Sequence, residues 1–84
     1  MMNINIFPII VAVLINLVLP RALMPFATPD EIKPPNGAEN LSFKEQLMHM
    51  FVHHAQVPLT SSIIVAIIVT LSNIVGPHLE SLLL

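Results

Sequence analysis

Cysteine, tryptophan and tyrosine are absent from the 84 residues, glycine occurs twice, and only three residues are basic. Without cysteine there is no disulfide framework and no thiolate to hold a metal or attach a haem. Three basic residues and a net charge of −2 exclude the dense cationic footprint that nucleic acid requires. They also leave no polybasic patch for anionic lipid. Two glycines cannot build a glycine-rich phosphate loop, and no nucleophile with a base and an orienting group is assembled, so a catalytic role has nothing to stand on. Charge of either sign is scarce: 10% of the residues are charged, against about 25% in a soluble domain. What fills the chain instead is aliphatic, 55% hydrophobic with a mean hydropathy of +0.83, which is the composition of a small integral membrane protein.

The apolar residues are gathered into two runs. Val57 to Val75 carries no charge after Leu59 and only Ser, Thr and Asn on its less apolar side. At about 17 to 19 residues it can cross a hydrocarbon core of roughly 30 Å. The first run, Ile4 to Leu19, is also charge-free; Pro8 falls in its opening turn, where a missing N–H costs little. A cleaved signal peptide would bring a basic residue ahead of the run, and none is present, so an uncleaved span over about residues 4–20 is expected. Span 2 is placed at about 58–75, ended by Gly76-Pro77 as a stop signal, with an apolar tail over 76–84 that turns along the membrane surface or packs on neighbouring protein. The fold class is therefore an all-α membrane protein, a two-span helical hairpin forming one unit over 1–84.

Between the spans, residues 20–40 hold five of the eight prolines and read as an extended, proline-stiffened loop. Pro35-Asn36-Gly37 is turn chemistry, with Asn and Gly where a positive φ is wanted. A short amphipathic helix follows over 42–55, opened by the capping-box pair Ser42 and Glu45. Phe43, Leu47, Met50, Phe51 and His54 form its apolar stripe at i, i+4, i+7, i+8 and i+11, suited to the membrane interface or to a partner. Arg21, Lys33 and Lys44 all lie in the connection, which places it on the cytoplasmic-type face with both termini opposite.

In an antiparallel pair, residues at equal depth then have numbers summing to about 78. Asn16 is level with Ser61 and Ser62, Ala12 with Ala66, and Asn5 with Asn73. Ser62, Ala66, Thr70 and Asn73 make a stripe of small and polar residues on span 2, the kind of surface on which membrane helices approach one another.

Histidine is the only side chain here suited to hold a cofactor. His49 and His53 stand at i, i+4 with Glu45 one turn before, but His-Met-Phe-Val-His lacks the glutamate of the zinc signature His-Glu-x-x-His, and no metal site is expected. Two readings remain for the imidazoles. They hydrogen-bond headgroups, backbone or a partner at the interface, or one of His49, His53 and His54 gives an axial nitrogen to the metal of a bound tetrapyrrole. His54, on the apolar stripe, is the best placed of these, and His78 is a weaker candidate.

From about Ile6 to Gly76 the order of features resembles the small photosystem I subunit O. The corresponding residues are a first span ended by Pro20, a loop with Asn36-Gly37, a short amphipathic segment over Leu41 to Phe51, then His53 or His54 and Pro58-Leu59-Thr60-Ser61. Val65 to Asn73, VAIIVTLSN, resembles a span of photosystem I subunit K. The chain departs from the subunit O pattern in lacking an aromatic-rich second span and a basic tail. The resemblance implies a peripheral photosystem I subunit of the thylakoid membrane that helps bind chlorophyll a and carotenoid, with His53 or His54 as ligand, and contacts antenna proteins or neighbouring subunits. The expectation is a non-catalytic accessory subunit of a large membrane complex. The alternatives are a self-associating, pore-forming peptide of the holin kind and an accessory subunit of a respiratory or ATP-synthase complex.

Overall fold

The computed structural model describes residues 5–84, and among them every regular element is helical. Helix α1 runs Ile6–Leu23 and α4 Pro58–Leu83; between them lie α2, Pro29–Ile32, and α3, Phe43–Gln56, with single 3-10 turns at Met24–Phe26 and Ala38–Asn40. Helices α1 and α4 pack side by side, and α3 folds back onto the loop-side half of α1.

Both long helices are apolar and long enough to cross a membrane. Only 6% of the apolar window of α1 and 11% of that of α4 is buried within the chain, so their side chains face outward, which is unlike the core helix of a soluble domain. One large apolar side chain besides Pro20, that of Val52, is fully enclosed.

Asn5 caps α1, its side-chain oxygen accepting from the Phe7 N–H at 3.1 Å. The expected start of span 1 at residue 4 lies outside the described residues. At the other end, Pro20 does not stop the helix, which continues to Leu23 with Pro20 buried inside it. A proline removes one bond, here the donor for the Asn16 carbonyl, but leaves the residues after it free to donate. For the same reason Gly76-Pro77 does not end α4: Gly76 has no positive φ, the helix runs on to Leu83, and the tail is its last two turns. At roughly 1.5 Å per residue, α4 is about 39 Å long, more than a hydrocarbon core requires.

The loop is less extended than its prolines suggest. Thr28 and Glu31 form a capping box, with Thr28 N–H donating to Glu31 Oε1 at 2.7 Å and Glu31 N–H to Thr28 Oγ1 at 3.3 Å. Pro29 sits at the first helical position, where its fixed φ helps. Gly37 takes the one positive φ, +88°, among the described residues, and Asn40 Nδ2 donates to the Asn36 carbonyl across that turn.

Helix α3 is opened by Ser42 and Glu45 in a second capping box, at 3.0 and 3.3 Å. Its inner face carries His49 and Val52, whereas Phe43, Leu47 and Met50 point outward. The hydrogen bonds to Ser42, through its side chain and then its backbone, hold the Glu45 carboxyl below the usual carboxylate range. The cap therefore stabilises α3 fully above the ordinary glutamate value, and this contribution is lost as pH falls through the lowered folded value. Protection of the first-turn amides of α3, taken relative to the unfolded chain at the same pH, is expected to fall as pH drops below the ordinary glutamate value, and Ser42→Ala should quicken their exchange several-fold at neutral pH. Equal exchange rates in the two proteins would count against the cap.

Candidate functional site

The turn between α3 and α4 is a single residue, Val57, whose backbone (φ −129°, ψ 61°) leaves the helical region ahead of Pro58. Val57 N–H donates to the His53 carbonyl at 3.1 Å, and Ser61 N–H to the Val57 carbonyl at 2.9 Å. This tight corner sets the end of α3, with His53 and His54, directly beside the start of α4, with Ser61 and Ser62.

Asn16 reaches this corner from α1. Its Nδ2 donates to Ser61 Oγ at 2.8 Å and to Ser62 Oγ at 3.1 Å, and its Oδ1 is 2.6 Å from Nδ1 of His54. Asn16, Ser61 and Ser62 are buried. Three helices thus converge on one carboxamide, at the depth where the antiparallel numbering sets Asn16 level with the two serines.

The directions of these bonds follow from counting protons. Ser61 Oγ lies 3.3 Å from the Pro58 carbonyl and 3.4 Å from that of His54, acceptors for its one hydrogen while its oxygen accepts from Asn16. The amide NH2 of Asn16 therefore faces the serines and its oxygen faces His54. An amide oxygen only accepts, so His54 carries its hydrogen on Nδ1, and in the neutral ring Nε2 keeps a lone pair.

His49 is treated alike by a different element. Its Nδ1 lies 2.6 Å from the carbonyl oxygen of Glu31 in α2, again an acceptor, so its Nε2 is also the unprotonated nitrogen when the ring is neutral. His49 is buried although it lies outside the apolar stripe of Phe43, Leu47, Met50, Phe51 and His54, because this bond pulls it beneath the α2 turn. His53 is exposed and meets His49 edge to face, with ring centroids 4.5 Å apart. His78 is exposed in the last turns of α4, away from the other three.

His49, His53 and His54 line one open groove of about 320 Å3 between α3 and α4, floored by Met50, Val57 and Ile64. This volume is at the lower limit of what holds a drug-sized ligand. A flat macrocycle could lie against the groove without being enclosed by this chain alone. Among the described residues no three His, Cys, Asp or Glu side chains are grouped to hold a bare metal ion.

The small-residue stripe divides at Ser62. Ala12, Ala66, Thr70 and Asn73 are half-buried along the α1 and α4 pair. Thr70 Oγ1 donates to the Ala66 carbonyl at 2.7 Å, satisfying itself within its own helix. Asn73 Nδ2 is shielded from solvent and has no partner among the described residues.

The reading of the sequence overlooked Glu31, whose backbone carbonyl orients His49. Thr28-Pro29-Asp30-Glu31 spells a capping box with proline at the first helical position, so this turn is visible in the sequence; its contact with His49 is not. No protein-family model, curated protein or solved structure matches the chain.

Proposed function

We propose that this chain is a non-catalytic accessory subunit of an integral membrane complex, and that it supplies one side of a cofactor site completed by a neighbouring subunit. The observation that carries this reading is the groove at the α3–α4 corner, which is apolar, open to the side, and lined by a histidine whose Nε2 is free. A neutral imidazole with Nδ1–H bonded to an oxygen is the form in which histidine ligates a metal. An apolar groove suits a metal carried inside a neutral macrocycle better than a bare dication, whose desolvation would be costly.

The resemblance to photosystem I subunits O and K gives the complex and the macrocycle: a peripheral subunit of photosystem I in the thylakoid membrane, with chlorophyll a held by His54 and carotenoid along the aliphatic helix faces. His54 would be the ligand, with Met50, Val57 and Ile64 against the ring. Bound chlorophyll would supply light absorption and energy transfer, while the protein's part is to place it and to contact antenna proteins or adjacent subunits through outward side chains such as Phe43 and Leu59.

Extraction of native membranes in mild detergent tests this. The chain is expected to migrate in a large pigment-bearing assembly, and His54→Leu is expected to remove chlorophyll absorption from the assembly without detaching the subunit. Haem bands would transfer the reading to a respiratory complex. Recovery of a free, pigment-less monomer, or conductance by the pure chain in lipid bilayers, would overturn it.

A further inference from the structure

We propose that Asn16 is a positioning residue that fixes the tautomer of His54, holding its hydrogen on Nδ1 so that Nε2 presents a lone pair to the metal of a bound macrocycle. The inference deepens the reading of His54 as an axial ligand and rests on it for its purpose, though the tautomer itself is a property of the protein alone.

Asn16 of α1 meets two serines of α4 and one histidine of α3. Ser61 spends its only hydrogen on the Pro58 and His54 carbonyls, so its oxygen receives Asn16 Nδ2 at 2.8 Å. Ser62 Oγ receives the second amide hydrogen at 3.1 Å. The carboxamide oxygen is then left to His54 Nδ1 at 2.6 Å, and an oxygen without hydrogens selects the Nδ1–H form. An alternative donor at this position would select the opposite tautomer and put a hydrogen on Nε2, where it blocks coordination. Position matters as much as chemistry. Asn16 is buried against α4, one turn before the buried Pro20, so its side chain has little freedom to turn away.

His49 serves as an internal reference, because its Nδ1–H is held by the Glu31 carbonyl and not by Asn16. A substitution at Asn16 that acts only by loosening the fold would disturb both histidines; one that acts on the tautomer disturbs His54 alone.

The test is 15N NMR of the full chain with labelled histidine, in lipid nanodiscs at a pH where the imidazoles are neutral. In the native sequence His54 is expected as the Nδ1–H form. Asn16→Leu is expected to bring in the Nε2–H form at His54 while His49 keeps its own Nδ1–H. Titration with a zinc porphyrin, followed by its Soret shift, should show affinity about tenfold weaker for Asn16→Leu than for the native chain, the usual scale for losing an outer partner of a ligating histidine. An Nε2–H histidine 54 in the native chain, or an unchanged tautomer in Asn16→Leu, overturns the proposal. A native Nδ1–H signal with no zinc-porphyrin binding upholds the tautomer assignment and sinks the axial-ligand reading instead.

Discussion

Ile67→Arg is expected to prevent α4 from inserting into a bilayer. Ile67 sits near the middle of the apolar stretch and is about half exposed on the hairpin surface, among Ile63, Ala66, Thr70 and Leu71, none of which carries a charge to pair with a guanidinium. A central arginine costs about 2.5 to 3.5 kcal/mol of insertion free energy, a shift of roughly 100-fold in the ratio of inserted to uninserted helix. Leu82→Arg, in the last turn and largely exposed, should cost little because its side chain can reach the headgroups. Glycosylation acceptors placed on either side of α4 in microsomes will report the difference between the two variants. If α4 were instead the surface helix of a water-soluble protein, both changes would fall within about ±0.5 kcal/mol, and neither would alter its partition.

The second large effect is expected at Asn16. Asn16→Leu removes three hydrogen bonds at once and leaves Ser61, Ser62 and His54 facing an apolar side chain. Hydrogen bonds between membrane helices average about 0.6 kcal/mol, so the helix pair should lose about 2 kcal/mol in a detergent unfolding titration. The cost should be far from additive. With Ser61 and Ser62 already changed to alanine, Asn16→Leu leaves only His54 unpaired, and the same substitution should cost less than half as much. A neutral or stabilising effect of Asn16→Leu in the native background would mean that aliphatic packing alone holds α1 to α4 and that the polar cluster is incidental.

These two expectations separate what the chain declares in its sequence from what folding adds. The two long helices are legible because their signal is local. Uninterrupted aliphatic runs, a proline in the first turn of α1 and a capping box at Ser42 all act within a few residues of where they are read. The pairing of Asn16 with Ser61 and Ser62 was accessible too, since antiparallel helices of equal rise leave only one register once the connection is placed. The ends of the helices were harder. A proline signals a lost bond without deciding whether the chain departs there, and at both Pro20 and Pro77 the next turns had nothing better to do than continue.

The sequence by itself determined an all-helical chain with two long apolar helices, each long enough to cross a membrane, and a register that sets Asn16 level with Ser61 and Ser62. Only the tertiary structure decided which imidazole nitrogens are free. That depends on a carbonyl eighteen residues from His49 and an amide thirty-eight residues from His54, and on the direction in which a serine hydroxyl spends its single hydrogen. Hydrophobic periodicity identifies which face of a helix is apolar, but the tautomer of a histidine is set by the one acceptor that the fold brings within hydrogen-bond reach.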